Sequence, residues 1–242
     1  MTRTVRQQVA LGRLLPLGRP GDAAWITERA AVALLRQAAA RVPGVRLGAT
    51  SLAAQEGAGE VPSAAPVGAL PHVPLLIEAD FEASVAQPLP LSAELLRERL
   101  WTAARDAVGL TVAAVDLEVT GLLEVDPGAS GVEEEPAEPD APDAPPGPVR
   151  SATPAVEAVA TAVLAVPGVP RLTDRLTALG GGVRITDDPA VPGGRRVQVQ
   201  IAVAAGRVPL AVARAAAAAA ASAAAAVAPG PLSVAVVVTD AG

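Results

Sequence analysis

His72 is the only histidine in the chain and stands in Pro71-His72-Val73-Pro74. A hydrolase triad would need it as the base, yet no serine sits in a Gly-x-Ser-x-Gly elbow. The residue reads as a solvent-facing histidine between a loop and a strand. One histidine and no cysteine cannot assemble a thiolate or multi-histidine metal site. No all-carboxylate calcium loop is recognisable either. Glu78, Asp80 and Glu82 alternate along one strand face. Acid and base roles need environments that push pKa values apart, and an exposed strand face supplies none. Gly180-Gly181-Gly182 suggests a phosphate cradle, but a Walker loop needs lysine and the chain has none. With Pro192-Gly193-Gly194 it reads as a turn. Gly18-Arg19-Pro20-Gly21 matches the GxxG spacing of a KH clamp, which also needs an RNA-binding fold and a basic groove. Here the motif precedes the first helix and contains proline. These residues predict no catalytic, metal or cofactor site, and the chain is expected not to be an enzyme.

The composition supports that reading. Half of the residues are apolar, dominated by Ala, Val and Leu, with one Phe, two Trp and no Tyr. All 19 basic residues are arginine. The scarce residue types have AT-rich codons, so the bias points to a GC-rich bacterial genome. Net charge is −6, which lacks the basic footprint and aromatic platform of a nucleic-acid binder. Arg3, Arg6, Arg13 and Arg19 lie in a stretch without acid, a candidate interaction segment for an anionic surface. Its apolar part is broken by Gly12, Arg13 and Pro16, so it is not expected to be a signal peptide. The run Val208 to Ala228 has the length of a membrane span. It is mostly alanine and holds Pro209 and Arg214, so a packed helix of a soluble protein is expected.

The elements that position these residues occur twice. A helix is predicted from Thr27 to Arg41, with Val32, Leu35, Ala38 and Ala39 on one face. It ends at Val42-Pro43-Gly44-Val45, where Pro-Gly suits a type II turn. Thr153-Pro154 opens a second such helix, which ends at Val166-Pro167-Gly168-Val169. Val32, Leu35 and Val42 stand at the same offset from Val156, Val159 and Val166 as Gly44 does from Gly168. Alternating strands then run over 75–85 and 197–203, helices over 92–108 and 209–227, and closing strands over 115–119 and 232–238. Shorter strands are expected at 45–47 and 183–185. Trp25 and Trp101 are expected to anchor the core of the first half. Arg97, Arg99 and Arg105, interleaved with Glu94, Glu98 and Asp106, read as a charged helix surface. The fold class is α+β: two related modules, each a small, mainly antiparallel sheet covered by two helices. The boundaries fall at 1–21 (basic tail), 22–125 (first module), 126–149 (acidic, Pro-rich linker) and 150–242 (second, Ala-rich module). The linker cannot bury enough apolar surface to offset its ordering entropy. Residues 53–69 read as a long internal loop.

Ile26-Thr27-Glu28 opening the first helix, the Val-Pro-Gly-Val turn, the strand 75–85, the helix 92–108 and Gly109-Leu110 before the next strand resemble the alkaline shock protein family of bacterial envelope stress response proteins. The first half covers the family module with an inserted loop. The second keeps the turn and strands but replaces most helix residues by alanine. The resemblance implies a non-catalytic structural or adaptor protein associated with envelope stress. It would be cytoplasmic or at the inner face of the membrane, with protein partners, membrane-anchored ones among them, or self-association. It carries no catalytic residues over. A small-molecule or peptide-binding regulatory module, using the cleft between the halves, is the alternative.

Overall fold

The computed structural model describes residues 13–55, 57, 59, 61–62, 65–123, 153–176 and 182–242. The linker 126–149, Arg3, Arg6, Gly180 and Gly181 lie outside the described residues. The chain is mixed α+β, with eight strands in two sheets among these residues. In the first half, β1 (Leu14–Leu17) and β2 (Ala24–Thr27) precede helix α1 (Glu28–Ala39). Strands β3 (Val45–Ala54) and β4 (Leu75–Ser84), helix α2 (Leu89–Thr102) and strand β5 (Val112–Leu123) follow. A π-helical stretch, Ala103–Val108, continues α2 to Gly109. The second half is α3 (Pro154–Leu164), β6 (Val183–Asp187), β7 (Arg195–Val203), α4 (Pro209–Val227) and β8 (Leu232–Ala241).

Each half contains the same unit. An antiparallel hairpin, β3 with β4 or β6 with β7, is followed by a crossover helix. That helix returns the chain to a strand parallel to the hairpin's second member, β5 beside β4 and β8 beside β7. The expectation of mainly antiparallel sheets therefore holds for the hairpins only. A helix between consecutive strands carries the chain back to its starting end, so the next strand runs parallel. β3 reaches Ala54, well past the short strand expected there.

Helix entry and exit follow local chemistry. The Thr27 side chain accepts from the Ala30 backbone N–H at 3.4 Å, the N-cap bond that satisfies one orphan donor. Gly44 and Gly168 leave the helices with φ of +69° and +100°, a region that L side chains rarely adopt. Pro43 and Pro167 precede them. We expect Gly44→Val to lose roughly 1–3 kcal/mol through backbone strain. A Cβ at Gly44 would also lie 3.1 Å from that of Ser84. Gly57, whose added Cβ would meet nothing within 4 Å, is the control. Equal urea midpoints for Gly44→Val and Gly57→Val would remove the turn argument.

The structure differs most from the expected boundaries at the N-terminal end. All four residues of β1 and of β2 are buried. β2 pairs in parallel with β8, Trp25 opposite Val237, so the sheet order is β1-β2-β8-β7-β6. The first half thus gives two strands to the second half's sheet and keeps three, β3-β4-β5, for its own. Trp25 consequently does not anchor the core of the first half alone. It packs with Leu14, Ala235 and Val237 on one face of the five-stranded sheet. Ala65, Ala69, Leu70 and His72, between β3 and β4, lie over this face. The Leu70 N–H donates to the Leu14 carbonyl, and His72 sets its ring edge-on to Trp25 at 5.7 Å. His72 is therefore half-buried against an indole and does not face solvent as expected.

The opposite face of that sheet joins a continuous core shared by both halves. Leu35, Phe81, Leu96 and Leu100 meet Val159, Val199 and Val236 in one cluster. Trp101 packs against it, half-buried. In α4 the buried stripe is Val212, Ala213, Ala216, Ala220 and Ala224, which allows close approach of helix and sheet. Arg195 reaches the C-terminal carbonyls of this helix at Ala224 and Ala228, complementing its dipole. α4 is the one helix among the described residues long and apolar enough to cross a membrane. Here one of its faces is packed into the core.

Candidate functional site

Where the two halves meet, the described residues make direct packing and polar contacts. The Gly18 N–H donates to the Gly109 carbonyl at 3.0 Å. Leu210 fills the space against both glycines, and a Cβ on Gly109 would lie 2.6 Å from its own. The Thr27 hydroxyl reaches the Thr239 carbonyl at 3.3 Å, and the Thr173 and Thr239 hydroxyls share a hydrogen bond of 2.6 Å. Arg214 on α4 grips Asp22 with two bonds of 2.8 Å each. That bidentate contact, with a backbone bond from Arg19, holds the Asp22 carboxyl below its ordinary pKa against the opposing effect of burial.

A lowered folded-state pKa means the charged form is favoured by folding. The Asp22 contribution is therefore present above the unfolded pKa and is lost as pH falls through the lower folded one. We expect Asp22→Asn to be less stable than the parent at neutral pH. The difference should shrink as pH falls below about 4, the ordinary carboxylate range. Urea melts at a series of pH values check this. A difference constant down to the acid transition would show that the ion pair is not the source.

The exposed chemistry lies on the three-stranded sheet. β4 alternates as predicted, with Leu75, Ile77, Ala79, Phe81 and Ala83 buried and Glu78, Asp80 and Glu82 turned outward. Register sets Asp116 of β5 beside Glu78 and Glu118 beside Asp80. Across β3, the Ser51 hydroxyl donates to Glu78 at 3.2 Å and Arg46 pairs with Glu82 at 2.8 Å. Glu78, Asp80, Asp116, Glu118, Ser51 and Thr50 line an open depression. The sequence places Asp116 and Glu118 on a closing strand, and the parallel register sets them beside the β4 carboxylates. Among the described residues no group of three or more His, Cys, Asp or Glu side chains is placed to hold a metal ion.

The outer edge of β5 adjoins this face. Among the described residues β5 neighbours only β4 in its sheet. Arg97 of α2 donates to the Val115 carbonyl at 3.2 Å and covers the first part of the strand. Farther along, Val119 and Leu122 are 42% and 56% exposed, and Val85, just past β4, is 63% exposed. Val85 was expected to continue the buried row of β4. The strand ends at Ser84, so it does not. The register shifts between the pairs Phe81–Val119 and Glu82–Gly121, which leaves Thr120 as a bulge. Leu122 then lies opposite Ala83, on the same side of the sheet as Val119.

The other residues singled out in the sequence have structural places. Pro43, Gly44, Pro167 and Gly168 form the helix-to-strand turns. Arg13 lies 3.7 Å from Glu28, before β1, and Arg19 stands after it at the turn Pro20–Asp22. Arg99 was read as plain helix surface, but it donates to the Ala38 carbonyl at the end of α1. By fold the chain is a mixed α+β protein of two joined α-β-β-α-β units. No family model, curated protein or solved structure matches it.

Proposed function

We propose that the chain is a non-catalytic structural or adaptor protein. The observation that carries this reading is the surface of the first half. Among the described residues, helices cover one face of its sheet, and its long outer strand ends in an edge with no strand partner, partly apolar and bordered by carboxylates. Native folds usually cover or blunt such an edge, and an open one is a template for another chain. The packed junction between the halves supports rigid presentation of that surface. The association with envelope stress, a cytoplasmic location at the inner face of the membrane, and membrane-anchored partners enter this proposal from the alkaline-shock resemblance alone.

The test is photo-crosslinking in the native host. A benzophenone amino acid at position 118 is compared with one at Glu157, an exposed position on α3. Discrete adducts at 118 but not at 157 are expected, with abundance rising under alkaline stress. The absence of adducts at 118, both at rest and under stress, would defeat the adaptor reading. Abundance indifferent to envelope stress would remove the stress association while leaving the scaffold.

A further inference from the structure

Resting on the adaptor reading, we propose that the edge of β5 from Leu117 to Leu123 takes up an extended peptide as a fourth strand, one that alternates basic and apolar residues. Three features of the edge lead there. First, beyond Val115 the strand has no neighbour among the described residues, so its outward N–H and C=O groups face a position that a partner backbone would fill. Second, the two sides of the edge differ in chemistry. Asp116 and Glu118 border it on the outer face, with Glu78 and Asp80 one strand behind. Val119 and Leu122 border it on the helix side, and both are well exposed. An added strand projects successive side chains to opposite faces. One set would therefore meet carboxylates and the other a valine and a leucine.

The third feature concerns which strand fits. A second copy of β5, antiparallel about Val119, would set Glu118 and Asp116 of both copies on one continuous face. In that register Glu118 stands diagonal to Glu118 of the other copy, like charges that oppose pairing. The Thr120 bulge adds a kink that two identical strands would have to match. A strand with Arg or Lys at alternate positions turns the same carboxylates into attraction. Charge thus selects a basic partner over self-pairing, and the backbone supplies the common affinity.

The probe is a fluorescein-labelled, eight-residue peptide of alternating Arg and Val, titrated onto the full chain at low salt and followed by anisotropy. Two further peptides carry N-methyl groups on the Arg amides only or on the Val amides only. In a strand paired along one side, alternate amides face the partner. One methylated peptide should therefore lose most of its affinity and the other keep it. Exchanging Arg for Glu in the peptide should abolish binding. The double variant Asp116→Lys with Glu118→Lys, on the solvated face, should weaken the parent peptide roughly tenfold, as reversal of cross-strand charge pairs implies. Two methylated peptides that bind as well as the parent would overturn strand addition and leave only charge attraction. A parent peptide that fails to bind at ~1 mM, the weak end of specific recognition, would also overturn it. Persistent crosslinks at position 118 would then keep the adaptor reading alive with a different partner, whereas their absence removes that reading independently.

Discussion

Residues 150–242 produced alone should fail to fold cooperatively, and adding residues 1–125 should restore a single melting transition. The reason is where β2 sits. Without the first half, β8 becomes the edge of a three-stranded sheet and loses its pairing with Ala24, Trp25 and Ile26. Ala235 and Val237 lose the cover of Leu14 and Trp25. Leu210 loses the backbone of Gly18 and Gly109, and Arg214 loses Asp22. The remaining core of this half is built largely from Val and Ala. A buried Ala side chain contributes far less than the ~1.5–3 kcal/mol of a Leu or Ile. The first half is better supplied, with Leu35, Phe81, Leu96 and Leu100, and should hold its three-stranded sheet. Its β1–β2 hairpin would be left with one unpaired side. Trp25 fluorescence, isolated in a Trp101→Phe background, should therefore be solvent-shifted to the red in 1–125 and return to the blue when the second half is added. Gel filtration should show a one-to-one complex. A second half that melts cooperatively alone, with no change on mixing, would mean that β2 and β8 do not hold the halves together.

That prediction depends on what local sequence could and could not reveal. Helix, turn and strand order was readable because it rests on short-range signals. Pro43-Gly44 and Pro167-Gly168 stop helices, and the alternation of β4 fixes its two faces. The β2–β8 pairing was not readable. Ala24–Thr27 is only four residues long and shows no period, and its partner lies at the far end of the chain. Pro16 looked like a breaker within an N-terminal tail. It sits in β1, an edge strand, where a missing N–H is tolerated. The closing strand 232–238 is legible from the alternation of Leu232, Val234, Val236 and Val238. Ala235 and Val237 are buried too, because loops from both halves cover the second face: Ala65 and Ala69 from one, Leu176 from the other. Gln200 holds that second loop through the Leu176 N–H at 2.8 Å. For the candidate site, the row Glu78, Asp80 and Glu82 was evident from spacing. Its continuation into Asp116 and Glu118 required knowing that β5 lies parallel to β4 and in which register, which only tertiary packing decides.

Trp25→Ala should be the most damaging single substitution in the N-terminal segment, at about 3–5 kcal/mol, the range for removing a large aromatic from a packed core. Trp25 is fully buried, stands opposite Val237 and carries His72 against its ring. Its loss removes packing from the sheet and from the loop residues that cover it, so the resulting cavity is bounded on both sides. Trp25→Phe separates volume from polarity. The Trp25 Nε1 is buried and makes no hydrogen bond among the described residues, so phenylalanine gives up no bond there. It also removes a buried donor whose desolvation opposes folding. The expected loss is only ~1–2 kcal/mol, from the smaller ring. Trp101→Ala is the comparison, because Trp101 is half-buried on the helix surface and should lose less than Trp25→Ala. Urea denaturation of the three variants against the parent gives the order. If Trp101→Ala proves the more damaging, or if Trp25→Phe is as damaging as Trp25→Ala, then Trp25 does not join the halves by packing. The β2–β8 ladder would have to do so through its backbone alone.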